Sequence, residues 1–383
     1  MRPISVAVVG AAESTDIGTV PGLSSLGLAT DAARRALADC GLTPADVDGV
    51  AAAGLQPYVA TQIAHSLGID ARWVDGTMIG GCSNVVHVRH AAEAIAAGHA
   101  SVVLIAHGES GRSRLGAPVY RHGSDTWAGQ FELPFGTAGP MTLLTLGAMR
   151  FLRDRGVGPE ALANVVVAQR DWAVRNPRAL RRTPITVDEV LAAKPVAYPF
   201  TQPMCCVVTD AGGALVVTSA ERARDLPRPP VHLLGSGEAT GAAMTSQMPD
   251  LTSSEAFVRS GAMAFTEAGL SPRGIDHAMF YDAVATLPLM ALEDLGFVSR
   301  GESPAYVAEG HTAIGGRLPV NTTGGGINYT HSGMYGMYAL QESIRQVRGE
   351  APAQVAGVRT SITHTIGGMF QGAATAIWSN QAP

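Results

Sequence analysis

Charge is scarce in this chain. Only 15% of its 383 residues are Asp, Glu, Lys or Arg, and aromatic residues account for 5%. The 27 basic and 32 acidic side chains leave a net charge of −5, with no block of like charge. That excludes a polyelectrolyte face for nucleic acid or an anionic membrane. Cysteine is rare too. The four (Cys40, Cys82, Cys205, Cys206) show no disulfide framework, and adjacent Cys205 and Cys206 cannot easily pair with each other. A reducing, cytoplasmic setting is therefore expected. No apolar run reaches the roughly 18 residues that suggest a membrane-crossing helix. The opening "MRPISVAVVGAAES" carries too short an apolar run for a signal peptide and enters a Gly-Ala turn.

What the chain has instead is 46% hydrophobic residues and 45 glycines, which predicts a core of small side chains, close backbone packing and many tight turns. Its length suits two domains or one large two-lobed one. "ISVAVVG" (4–10) predicts a strand and "SSLGLATDAARRALADCG" (24–41) a helix stopped by Gly41. "VRHAAEAIAAG" (88–98) predicts a second helix, and "SVVLIAHG" (101–108) a strand covered on both faces. Alternation of this kind points to a layered α/β protein.

Two internal echoes suggest duplication. "ALADCGLTPADVD" (36–48) and "AFTEAGLSPRGID" (264–276) share a helix end, Gly-Leu, a Ser/Thr-Pro turn and a closing Asp. The stretches 91–109 and 340–368 each run from a helix through glycine to a strand ending in His. "ARDLPRPPVHLL" (223–234) reads as the linker between halves 1–228 and 229–383. Residues 110–200, rich in Pro and Arg, read as an insertion in the first half. Within it "RNPRALRR" (175–182) is either a solvated surface or an anion patch for a phosphorylated cofactor.

Four stretches carry possible chemistry. In "IGGCSNVVHV" (79–88), Cys82 sits at a Gly-rich elbow before a helix, where the dipole lowers a thiol pKa; it is equally a small buried residue. "NTTGGGINYTHSGMYG" (321–336) brings His331 and Tyr335 to the start of the corresponding helix of the second half. Two helix N-termini then face one pocket, with His and Tyr as acid–base groups. "THTIGGMFQG" (363–372) offers His364 at a strand end and N–H donors from Gly367 and Gly368 for an oxyanion. "FYDAVATLP" (280–288) presents Tyr281 and Asp282 after an apolar strand. His87 and His90 share a helix face but lack a third ligand, so no metal is expected. "GSGEATG" (235–241) lacks the dinucleotide-binding spacing, and "CC" at 205–206 opens an apolar run, "CCVVTDAGGALVVTS", read as core.

As a set, "AAEAIAAGHASVVLIAHGES", "VVVAQRDWAVRNPRAL", "CCVVTDAGGALVVTSAERARDL", "LEDLGFVSRGESP", "VNTTGGGINYTHSGMYG" and "HTIGGMFQGAATAI" resemble the thiolase superfamily, in its sterol-carrier-protein-type branch. The resemblance spans nearly the whole chain. It implies two βαβαβαββ halves in a five-layered αβαβα arrangement, a homodimer, and action on acyl-CoA thioesters, with coenzyme A as part of the substrate and no bound cofactor or metal. In that family the nucleophilic cysteine lies 17 positions before the glycine closing the next helix. Counting back from Gly98 reaches Gly81, one position before Cys82. His331 falls on the histidine of the family's Gly-His-Pro segment, with Thr330 and Ser332 as altered neighbours. His364 falls on the histidine of the His-Asn-x-Gly segment, with Thr365 for Asn. Tyr281 takes the place of the His or Asn that helps hold the oxyanion water.

This pattern is similar to the thiolase-fold aldolases of steroid side-chain breakdown, which lack the nucleophile and cleave a β-hydroxyacyl-CoA by retro-aldol reaction. There the two tyrosines, here Tyr281 and Tyr335, are the acid–base pair, and a small OB-fold, zinc-binding partner chain is common. The leading expectation is a retro-aldol lyase whose enolate rests on His331, His364 or glycine N–H groups. A Cys82-dependent thiolase or acyltransferase, and a silent acyl-CoA- or lipid-binding protein, are the alternatives.

Overall fold

Continuous runs of small apolar residues build the strands of this protein, and a computed structural model describes residues 5–54, 56–115, 123–137 and 139–383. Residue 4 of the first expected strand, and 116–122 and 138 of the expected insertion, lie outside the described residues. The strands are β1 (Val6–Glu13), β2 (Gly49–Ala52), β3 (Trp73–Asp75), β4 (Val102–Ser110), β5 (Asp210–Ser219), β6 (Val231–Thr240), β7 (His277–Phe280), β8 (Thr360–Gly367) and β9 (Gly372–Ser379). The main helices are α1 (Ser25–Asp39), α2 (Val59–Leu67), α3 (Ser83–Ala96), α4 (Pro140–Arg155), α5 (Glu160–Val174), α6 (Glu255–Ala268) and α7 (Gly336–Arg348).

The nine strands pair in the order β3-β2-β4-β5-β1-β6-β9-β8-β7. That order is symmetric about the β1–β6 junction, with β3 as an extra edge strand. β2 runs parallel to β4, which pairs antiparallel with β5, and β5 pairs antiparallel with β1. On the other side β7 runs parallel to β8, β8 pairs antiparallel with β9, and β9 with β6. The two sets join through only two residue pairs, Ala7 with His232 and Val8 with Val231.

Each strand of β4 type buries both faces, as its continuous apolar run requires. Val103 and Ile105 enter the core around the central helices, while Val102, Leu104 and Ala106 enter the core under α1 and α2. Helices α3 and α7 touch strands of both halves; α1 covers β1, β4 and β5 from outside, and α6 covers β6 and β9. The result is five layers, helix–sheet–helix–sheet–helix. The small-residue composition has its reason in these contacts. A Cβ on Gly212 would overlap the Leu28 carbonyl of α1, so glycine lets helix backbone lie directly on the sheet.

The first sequence echo has a shared structural job. Gly41 and Gly269 end α1 and α6 in the left-handed region at φ +71° and +64°. Asp48 then accepts the amides of Ser101 and Val102 at 2.8 and 2.9 Å, and Asp276 those of Arg359 and Thr360 at 2.9 and 3.0 Å. In each half one carboxylate holds the start of the neighbouring parallel strand.

Three expectations change. The Pro-Arg stretch from 223 is shorter as a connection than its composition suggests, because β6 begins at Val231, where burial favours strand. The 110–200 segment is mostly helical: Leu143, Leu144, Phe151 and Leu152 of α4, and Leu162, Val165 and Val166 of α5, bury a helical stripe in the largest core. The Cys205–Cys206 run does not start a strand. Cys205 bridges to Val284 and Val208 to His331, and β5 begins only at Asp210.

Candidate active site

Four segments converge at the N-terminal ends of the two central helices. The elbow before α3 is a 3-10 turn, Gly80–Cys82, held because the Ser83 hydroxyl donates to the Gly80 carbonyl at 2.7 Å and accepts the Ile79 amide at 2.9 Å. The second segment, 321–335, leads into α7. The third is Tyr281 and Asp282 beyond β7, and the fourth the β8–β9 hairpin at Gly367–Gly372. The two helix starts meet: a Cβ on Gly336 would overlap the Gly81 carbonyl.

Tyr281, His331 and Tyr335 are brought together. The Tyr281 ring lies edge-on to His331 at 5.4 Å and to Tyr335 at 5.6 Å between centroids, and His331 stacks over Tyr335 at 6.1 Å. The Tyr281 hydroxyl reaches the Gly333 carbonyl and the Tyr335 amide, each at 3.5 Å, both long contacts. Tyr335 is fully buried, and its hydroxyl makes no complete hydrogen bond, although the Thr323 side chain stands near enough to favour the phenolate slightly. Burial raises both phenols well above their ordinary pKa, with Asp282 adding to the effect at Tyr335. Burial also pulls His331 down to about 4, leaving a neutral imidazole whose Nε2 has no partner.

Asp282 anchors the glycine-rich loop. Its carboxyl accepts the Gly326 amide at 2.6 Å and the Ile327 amide at 3.3 Å, and burial raises it well above the usual carboxylate range. Thr209 accepts the His331 amide at 3.1 Å, and His107 on β4 bonds through Nε2 to the Ser332 carbonyl at 2.8 Å. The loop is thus fastened from both halves of the fold.

Cys82 does not join this group. Its side chain is fully buried in the central core, with Sγ 3.5 Å from the Ile79 carbonyl and directed at the β8–β9 hairpin, 2.7 Å from where a Cβ on Gly367 would stand. Burial pushes the thiol up to about 12, opposite to the helix-dipole expectation. His364 is also turned away. Alternation along β8 aims it at the outer helix α6, where its ring meets Phe257 at 4.4 Å and Nδ1 bonds Thr375 Oγ1 at 2.8 Å. Thr365, one residue on, faces Gly336 instead. Gly367 and Gly368 pack against the elbow: a Cβ on Gly80 would stand 2.5 Å from the Gly368 nitrogen.

Two of the four arginines of 175–182 are held by the protein, while Arg175 and Arg182 are exposed. Arg181 donates to the carbonyls of Gln202, Cys205 and Ile327 at 3.1 to 3.3 Å, and Arg178 to the Ser14 carbonyl at 2.7 Å. His87 bonds the Thr77 carbonyl at 3.0 Å, while His90 bridges Asp75 at 2.8 Å and Glu238 at 3.4 Å. No cluster of three metal-ligating side chains occurs among the described residues, and no helix among them is long and apolar enough to cross a membrane.

A family profile described as thiolase C-terminal domain-like matches residues 237–380. A steroid side-chain-cleaving aldolase of Thermomonospora curvata is 33% identical over 375 residues, covering 95% of this chain and 94% of the relative. The chain belongs to the thiolase superfamily. A 17-hydroxy-3-oxo-4-pregnene-20-carboxyl-CoA lyase of Mycobacterium tuberculosis is likewise 33% identical, over 92% of this chain and 94% of the relative. Among solved structures, one described as an Ltp2-ChsH2(DUF35) aldolase superposes with a TM-score of 0.92 at 32% identity, covering 99% of this chain and 98% of that one. The five layers are accordingly those of the thiolase fold, and the protein is an enzyme of thiolase type.

In thiolase terms the informative position is 81. A side chain there would start 2.5 Å from the Tyr281 hydroxyl and 2.6 Å from its Cζ. The tyrosine occupies the space into which a nucleophile at position 81 would project. The count back from Gly98 reaches Gly81, but nothing in the sequence signals what fills the gap. Sequence reasoning also passed over His107 and Glu109, which sit at the end of an apolar strand with no motif around them.

Proposed function

We propose that this thiolase-superfamily enzyme breaks the Cα–Cβ bond of a β-hydroxyacyl-CoA by retro-aldol reaction, without a covalent intermediate. The observation that carries the reading is the pairing of Gly81 with Tyr281: position 81 carries no thiol, and a phenol stands where its side chain would begin. The names of the two relatives, an aldolase and a CoA lyase, support it.

In the reaction a base takes the β-hydroxyl proton, the oxygen pair forms a carbonyl, and the Cα–Cβ electrons become a thioester enolate. Tyr281 and Tyr335, held protonated by burial, serve as proton donors to that enolate. His331, neutral and adjacent to both rings, and the Gly81 backbone complete the polar wall against which the negative charge develops. His364 takes no part, since its ring faces α6. Coenzyme A arrives as part of the substrate. A small OB-fold, zinc-binding partner, homodimerisation and a cytoplasmic location belong to the same proposal; the solved neighbour is itself described as a complex with ChsH2(DUF35).

The test is to mix the purified protein, alone and with such a partner, with β-hydroxyacyl-CoA esters of steroid side chains and of short acyl groups. Release of a ketone or aldehyde together with a shortened acyl-CoA, with no acyl adduct on the intact protein by mass spectrometry, is the expected result. A stable adduct on Cys82 overturns the reading.

A further inference from the structure

The retro-aldol reading leaves one role unfilled. The resemblance makes one tyrosine the base, but burial holds both phenols protonated, so the first step needs another group that accepts the β-hydroxyl proton. Over a whole turnover one proton leaves oxygen and one arrives at carbon, so the acceptor must later hand its proton back.

Glu109 is placed for this. It lies on β4 two residues beyond His107, so both side chains point to the same face of the sheet, the one that meets loop 331–335. Gly333 in that loop is exposed, and a Cβ on it would stand 3.1 Å from Glu109 Cγ and 3.5 Å from Glu109 Oε2. The carbonyl of the same residue faces the Tyr281 hydroxyl. The carboxylate and the phenol therefore flank one exposed glycine. Only 8% of Glu109 is exposed, and among the described residues its carboxylate accepts no hydrogen bond and joins no ion pair. Its oxygens are not sealed in the interior but meet solvent, so the carboxylate is tied to no protein group and is open to a ligand.

We propose that Glu109 is the proton acceptor of the reaction, taking the substrate β-hydroxyl proton as the Cα–Cβ bond breaks and returning it to the tyrosine that protonates the enolate. The inference rests on the retro-aldol reading. Electrons and protons balance within the substrate and these side chains: the O–H proton goes to the Glu109 carboxylate, a tyrosine O–H protonates Cα, and the Glu109 proton restores the tyrosine. The surroundings suit a reversible holder. Burial raises the carboxyl to about 7, Arg114 opposing and Asp210 adding, while Tyr338 and His107 face it from the loop side and its own strand. Asp210 is itself tied to the amides of Val20, Arg112 and Ser113.

The experiment compares wild type, Glu109→Gln and Glu109→Asp, with partner if the wild type needs one, by kcat/KM against pH on a β-hydroxyacyl-CoA that the wild type cleaves. Glu109→Gln is expected to lose about 10²–10⁴-fold at pH 7.5, as removal of a general base does. The acidic limb of the wild-type profile should vanish, and Glu109→Asp should restore part of the rate with that limb displaced. Infrared difference spectra of the folded proteins should show a carboxyl band, missing in Glu109→Gln, that titrates over the same pH range as the acidic limb of the wild-type rate, a coincidence that a merely structural side chain would not give. A cleaving wild type with an unchanged rate and pH limb in folded Glu109→Gln overturns the proposal and leaves the retro-aldol reading standing. A wild type that cleaves no β-hydroxyacyl-CoA removes both.

Discussion

The Tyr281 hydroxyl stands 2.5 Å from the point at which a side chain on Gly81 would begin. The two residues come from different halves of the fold and compete for one volume. Gly81→Ala should therefore push the Tyr281 ring out of its contacts with His331 and Tyr335. Misplacement of about 1 Å at a reacting group costs on the order of 10²-fold in rate. Steady-state lyase kinetics of this variant should show that loss, with substrate binding changed far less. Gly81→Cys alone should fail to acquire thiolase activity, because ring and sulfur cannot both occupy the site.

Tyr335→Phe separates chemistry from stability. The Tyr335 hydroxyl is buried without a complete hydrogen bond, so removing it leaves no partner stranded and relieves a desolvated polar group. Thermal unfolding should place the variant within about 2 °C of wild type or above it, on the basis that 1 kcal/mol moves a large domain by about that much. Lyase turnover should fall by about 10²–10⁴-fold. A marked drop in melting temperature would count against this account.

Cys82 should prove inert. Its thiol is pushed up to about 12 by burial, so maleimide labelling of the native protein should spare it, with unfolding required for reaction. Cys82→Ala should keep lyase activity within about threefold. Its stability should fall by about 1–2 kcal/mol, the cost of losing one small apolar group from a packed core, read from denaturant titration.

His90 carries a pH-dependent contribution to stability. Hydrogen bonds to Asp75 and Glu238 raise its pKa to about 10, against an unfolded value near 6.5. A raised folded pKa gives stabilisation that is complete below the unfolded value and is lost as pH rises through the folded one. The stability gap between wild type and His90→Gln should therefore be widest near pH 6, narrow above pH 7 and close above about pH 10. Denaturant midpoints measured across that range check this; a gap that widens with pH would reverse the assignment.

The layered fold was readable because its signals are local. Helix α1 was expected over 24–41 and runs Ser25–Asp39, with Ser24 capping the Gly27 amide and Gly41 left-handed beyond the end. The echo at Asp48 and Asp276 was legible for the same reason. His331 and Tyr335 could be grouped because one glycine-rich motif carries both, and Tyr281 was marked by the Tyr-Asp pair that follows an apolar strand. His364 lies in a motif too, but the motif does not say which face of β8 it points to, and one residue of alternation sends it to α6. The ties of Arg178 and Arg181 were not legible because their partners, the carbonyls of Ser14 and Ile327, come from distant segments. Glu109 was silent because nothing in "VVLIAHGES" announces that the strand ends beside Gly333.

The floor of the cleft is main chain lying on main chain. Gly80 abuts Gly368, Gly336 abuts Gly81, and Gly367 abuts Ile79, each so closely that no methyl group fits between. Side chains can switch rotamers to suit a ligand; peptide groups wedged in this way cannot. Differences in what the enzyme accepts must then arise outside this seam of backbone. Substrate preference can drift there through surface substitutions while the reacting geometry stays fixed.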